Sequence, residues 1–204
     1  MTPISKEQAQ EQIGPYHDLI AETVYLAWDK LVEEVLPLFP GCTLRFKRNA
    51  MYDLMIQKGR PLFEDVRGLK LIETKNGRIL LIIRNPINPL ILRFKKVNNK
   101  FATSNYPTQG SLKYDNQTYL PGIPEGARIT VGHVMNEEET ELRSVHIICS
   151  KGKIVYWDYQ LSREGGLGEL MPTPLLQPAP TPERRVRAKT KVTDIQAARK
   201  GKSK

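Results

Sequence analysis

Cysteine is nearly absent from this 204-residue chain: Cys42 and Cys149 are the only two, and no CxxC pair occurs. That excludes a disulfide scaffold and a cysteine-held structural zinc, and it predicts a reducing compartment. Long apolar runs are missing too. The longest aliphatic stretch, Ile79 to Ile83, is far too short to span a bilayer, and the first residues, Met1-Thr-Pro-Ile-Ser-Lys-Glu-Gln, carry no apolar signal core. The expectation is a soluble cytoplasmic protein with no membrane partner, nuclear if the source is eukaryotic. There is no GxSxG elbow, and Gly165-Gly166-Leu167-Gly168 lacks the Lys-Ser/Thr of a phosphate loop, so these glycines mark a flexible boundary. No internal repeat is visible. Apolar residues at 40% and charged residues at 26% are those of an ordinary globular chain, which excludes collagen-like, coiled-coil and wholly disordered classes.

What is present is positive charge, unevenly placed. From Met171 onward nine basic residues face two acids, so +7 of the total +9 lies in the last part of the chain and only +2 on residues 1–170. That part opens on Met171 to Pro182, where five of twelve residues are proline and favour an extended spacer. Beyond it, Glu183 to Lys204 has too few large apolar side chains to offset the entropy of ordering. The predicted organisation is one α+β domain over 1–168, a Pro-rich linker over 169–182 and a disordered basic tail over 183–204. Arg184, Arg185, Arg187, Lys189, Lys191, Arg199 and Lys200 form an electrostatic arm for nucleic acid or an acidic protein, sensitive to salt.

Within the body, Gln8 to Phe39 has apolar residues at helical spacing (Ile20, Val24, Ala27, Leu31, Val35), broken at Gly14-Pro15 and ended by Pro37 and Pro40-Gly41. Asn49 to Lys58 predicts a second helix with Gly59 as its stop. From Leu69 the period turns to that of strands, and Asn76-Gly77 predicts a hairpin in which Lys75 pairs with Arg78. Arg78 to Arg84, apolar on both faces, reads as a central strand. Leu90 to Lys95, Arg128 to Met135, Leu142 to Cys149 and Lys153 to Tyr159 read as further strands in a meander. Helices first and strands afterwards predict amino-terminal helices packed on a twisted antiparallel sheet or partly closed β-barrel.

Three constellations invite a chemical reading. Glu73-Thr74-Lys75 has the ExK spacing of PD-(D/E)xK nucleases; with Asp65 or Asp53, and Glu33 or Glu34 on the long helix, carboxylates would hold magnesium or manganese while Lys75 activates water. A charged strand end beside a hairpin explains the same tripeptide. His133 and His146 would share a sheet face if odd positions pair with even ones around Glu137–Glu141, and would then be a partial metal site, with the turn glutamates in solvent. A pairing of Ser150 with Lys153 instead sets His146 opposite Trp157, as a packing pair. His17 reads as a surface residue. The stretch 98–128, rich in Gly, Pro, Asn and Ser, carries Tyr106, Tyr114 and Tyr119 with Lys113, Lys100 and Arg128 nearby, and offers stacking area for a base or a protein surface; pinning the loop to the sheet is the competing reading.

The favoured function is a non-enzymatic binding or regulatory protein with no cofactor, its body docking a macromolecular partner and its tail holding nucleic acid or an acidic protein. The alternatives are a metal-dependent nuclease built on Glu73 and Lys75, and a subunit of a larger ribonucleoprotein assembly. Small basic proteins of toxin, defence and mobile-element systems have a similar make-up.

Overall fold

A computed structural model of the chain describes residues 3–74, 78–86, 88–103, 109–116, 125–152 and 154–163. The spacer and basic tail, Lys75, Tyr106 and Tyr119 lie outside the described residues. The fold is α+β. Helices α1 (Lys6–Ile13), α2 (His17–Lys30) and α3 (Leu44–Phe63) precede strands β1 (Leu69–Glu73), β2 (Ile79–Ile83) and β3 (Leu90–Val97); a short helix α4 (Gln109–Asp115) leads to β4 (Ala127–Met135), β5 (Leu142–Lys151) and β6 (Ile154–Leu161). Among the described residues no helix is long and apolar enough to cross a membrane.

The helical layer follows its capping chemistry. Ser5 and Thr43 accept hydrogen bonds from the Gln8 and Phe46 amides, starting α1 and α3, and Gly14-Pro15 forces a tight turn between α1 and α2. Ile20, Val24, Ala27 and Leu31 are buried together as their spacing requires. Helix α3 is longer than predicted at both ends: Gly59 is an interior residue and not a stop. A Cβ there would lie 2.9 Å from both the Phe63 ring and the Thr23 methyl of α2, so this glycine allows the two helices to approach closely. Helix propensity alone would favour Gly59→Ala by about 1 kcal/mol, but overpacking costs about 1–3 kcal/mol, and Phe63 is buried against Phe94. Gly59→Ala is therefore expected to lower stability by about 1 kcal/mol, read as a fall of about 2–4 °C in Tm.

The sheet is open, not a barrel, and mixed, not wholly antiparallel. Its strand order is β1-β2-β3-β4-β5-β6, and the central pair β3·β4 is parallel, Leu90 lying beside Ala127 and Val97 beside Val134. A plain meander cannot produce this. The chain leaves β3 and must return to the same end before starting β4, and α4 lies on that crossover. Hence the stretch 98–128, read from sequence as loop alone, holds a helix.

Pleating divides the sheet into two faces. Leu81, Ile83, Leu90, Leu92, Phe94, Ile129, Val131, Val145, Ile147 and Cys149 face the α1–α3 layer and form the main core. Leu80, Ile82 and Ile91 face the other way and are covered by Tyr114 of α4. Strand β2 is thus buried throughout, as its unbroken aliphatic run implies, but two different elements cover it.

Three registers differ from expectation, and each changes a face or a neighbour. Glu73 pairs with Ile79 and Leu71 with Leu81, one residue away from a Lys75–Arg78 pairing, because Thr74 and Arg78 close the turn. His133 pairs with Val145 and Gly132 with His146, so odd meets odd and the two histidines point to opposite faces. A bulge at Cys149/Ser150 places Trp157 beside Cys149 and Gln160 beside His146, so His146 and Trp157 are not partners. Trp157 donates instead to the Ile4 carbonyl at 2.8 Å, tying the chain start to β6. His17 is buried, not at the surface. It shares a 3.0 Å hydrogen bond with the Tyr159 hydroxyl, and burial lowers its pKa.

Candidate functional site

Polar chemistry concentrates on the face that carries the crossover. Arg93 and Thr130 are neighbours in the parallel pair, and Arg93 Nε donates to Thr130 Oγ1 at 3.1 Å while its Nη2 pairs with Asp115 at the end of α4. The guanidinium lies 4.2 Å from the centroid of the Tyr114 ring. The Tyr114 hydroxyl sits between the carbonyls of Ile91 (2.7 Å) and Ile129 (2.8 Å), and its burial raises the phenol pKa. Arg128 donates to the Lys113 carbonyl at 3.0 Å. Tyr114 is therefore a core residue that pins α4 to both central strands, and not an open stacking surface. Lys113 is exposed. Next to this network, Lys95 is driven down to a pKa of about 8, first by burial and then by repulsion from Arg78 and Arg93.

A cleft of about 210 Å³ opens between α4 and β4–β6. Ser111, Asp115, Thr130 and Ser150 supply polar groups, and Phe101 and Ile148 supply apolar walls. Phe101 follows the turn at Asn98, whose side-chain oxygen accepts from the Lys100 and Ala102 amides. Its φ of 57° is an unusual conformation for a bulky residue.

On the far side of Phe101 lies a chain of hydrogen bonds that no sequence motif announced. Ser144 and His146, two apart on β5, share the crossover face, and Asp158 of β6 reaches the same imidazole diagonally, being paired with Ile148. Ser144 Oγ is 2.9 Å from His146 Nε2, and Asp158 Oδ2 is 3.2 Å from Nδ1. With the imidazole proton on Nδ1, Asp158 accepts it and Nε2 accepts from the serine hydroxyl. The Phe101 ring lies 4.6 Å from the imidazole.

A second polar cluster lies on the helix-covered face. Glu139 was expected in solvent with the other turn glutamates, yet it is 1% exposed. Asn136 closes the β4–β5 turn by accepting from the Thr140 and Glu141 amides, and a φ of 54° at Glu139 turns its side chain inward. There Glu139 Oε1 accepts from Arg48 of α3 (2.6 and 2.8 Å) and from Lys96 of β3. Burial works against its ionisation, but the Arg48 and Lys96 hydrogen bonds prevail and hold its pKa below the usual value. His133 beside Lys96 is held neutral, its pKa lowered to about 4 by burial and then by the Lys96 charge.

Of the residues in the nuclease reading, Lys75 lies outside the described residues, and the described carboxylates join no group of three metal ligands. Glu73 lies on edge strand β1, 3.5 Å from Arg60, with both side chains more than half exposed. Asp65 is exposed in the α3–β1 turn, and Asp53, Glu33 and Glu34 are exposed on the helical layer. Among the described residues no three His, Cys, Asp or Glu side chains gather as metal ligands, and His133 and His146 are separated by the sheet. Cys149 is buried and its thiol is pushed up to about 11; Cys42 is half-buried. Ser144 and Asp158 were missed by sequence reasoning. The Ser-x-His spacing on a predicted strand was the available signal, since it places both side chains on one face. No protein-family model, curated protein or solved structure matches this chain.

Proposed function

We propose that this chain is a binding or regulatory protein whose folded body docks a macromolecular partner while its basic carboxyl-terminal segment contacts nucleic acid or an acidic surface. The observation that carries this reading is the corner between α2 and α3. There Leu38 is 73% exposed and Phe39 50%, with Leu44 and Val32 also exposed. Phe39 and Phe46 lie in tilted contact with ring centroids 5.0 Å apart, so the corner presents a preformed aromatic pair, and Arg45, next to Phe46 in the chain, is exposed. Large apolar side chains kept in water support an interaction surface at this corner. The +7 excess from Met171 onward supports the electrostatic half of the proposal. Docking requires no catalytic group.

The test is fluorescence anisotropy with labelled duplex DNA and single-stranded RNA, comparing the full chain with residues 1–170. The full chain is expected to bind at low salt and to lose about 100-fold or more in affinity between 50 and 200 mM salt, as several phosphate contacts require. Residues 1–170 are expected to lose most of this binding with Tm unchanged. Equal affinity of the two chains would sink the role given to the basic segment.

A further inference from the structure

The Ser144–His146–Asp158 chain goes beyond the docking reading and does not depend on it. Hydroxyl, imidazole and carboxylate are joined in that order through the two different ring nitrogens, at 2.9 and 3.2 Å. This is the connectivity that lets an imidazole take a hydroxyl proton while a carboxylate fixes its tautomer and stabilises the resulting cation. A row of polar side chains filling a half-exposed sheet face needs no such order. Three further observations bear on chemistry. His146 is only 12% exposed at its side chain, so its orientation is fixed, while Ser144 remains partly open to solvent. The Phe101 ring packs on the imidazole from a strained backbone, a feature that clusters at working sites. The cleft begins at Ile148, the next residue past His146 on the same face of β5, and shares with the imidazole the Phe101 ring; Ser144 stands on the other side of His146, at the edge open to solvent.

We infer that Ser144, His146 and Asp158 form a nucleophilic acyl-transfer site for small carboxylic esters, which reach Ser144 from its solvent-open side. Ser144 Oγ attacks the ester carbonyl carbon, and its proton passes to His146 Nε2. As the carbonyl re-forms, the bond to the leaving alkoxide breaks and Nε2 returns the proton to it, releasing the alcohol. Water then gives a proton to Nε2 and attacks the acyl-serine, and the proton goes to Ser144 Oγ as the acid departs. The balance is ester plus water giving acid plus alcohol. Asp158 accepts from Nδ1 throughout and is a positioning residue.

The test uses the full chain with a fluorophosphonate probe, located by peptide mass spectrometry, and with p-nitrophenyl acetate and butyrate as substrates. One equivalent of probe is expected on Ser144, and ester turnover is expected to fall about 100-fold or more in both Ser144→Ala and His146→Gln. Asp158→Asn is expected to lower kcat with little change in KM, and Asp158→Glu to restore part of the loss. Ser144→Ala removes one half-exposed oxygen and should melt with the parent, which keeps the test valid even where His146→Gln fails to fold. Label on another residue, no label, or hydrolysis equal in Ser144→Ala and the parent overturns the inference, and the three side chains are then a structural polar row.

Discussion

Replacing Tyr114 by alanine is expected to cost about 3–5 kcal/mol, the largest loss from a single change on the crossover face. The ring is buried against Leu80, Ile82 and Ile91, and its removal empties the space between α4 and the sheet. The change also removes the single hydroxyl proton that lies between the buried carbonyls of Ile91 and Ile129 and serves one of them at a time. Arg93 in turn loses the ring it stacks on while staying paired with Asp115. Tyr114→Phe separates these contributions: it keeps the ring and the Arg93 contact, and is expected to lose about 1–2 kcal/mol. Urea titration followed by circular dichroism reads both. A loss below about 1 kcal/mol for Tyr114→Ala would mean that α4 contributes little to the fold.

The second large effect is expected at Glu139. Glu139→Gln keeps the size of the side chain but removes the charge that Arg48 and Lys96 share, and should cost about 2 kcal/mol. The loss is smaller than for a fully enclosed pair, because Arg48 is 47% and Lys96 27% exposed at the side chain and both regain hydration. The pH dependence has a definite sign. The folded-state pKa of Glu139 lies below the ordinary 4.5, so its stabilisation is fully present above that value and is lost as pH falls through the lower folded value. The stability gap between parent and Glu139→Gln should therefore be constant from pH 5 to 7 and close in stronger acid. A gap that widened on acidification would contradict the ion cluster.

Much of the architecture was legible in the chain. Helical spacing of Ile20, Val24, Ala27 and Leu31 located α2, and the aliphatic run Ile79–Ile83 marked a strand covered on both sides, because burial leaves a direct trace in hydropathy. The parallel pairing of β3 and β4 left no such trace. Neither did α4, seven residues within a stretch rich in Gly, Pro and Asn, too short for a helical period to emerge. Faces proved harder than elements. A single residue of register decides whether two side chains meet, and bulges at Val134/Met135 and Cys149/Ser150 set those registers. The histidine pair failed for that reason, and Asp158 escaped notice for the same one: its meeting with His146 depends on a cross-strand offset that composition does not encode, whereas Ser144 and His146 share a face of one strand whatever the register. Glu139 shows the complementary case, a charged turn residue carried inward by a left-handed backbone that favours Gly or Asn but does not require them.

The single parallel seam has a kinetic consequence. On either side of it stand three strands joined by antiparallel pairing, β1–β3 and β4–β6, each able to zip from its own turns through contacts close in sequence. Joining Leu90 to Ala127 demands closure of a much longer loop, and the reward arrives only after that entropy has been spent. The two halves should acquire protected amides first, and the union of β3 with β4 should limit the rate at which the native state appears.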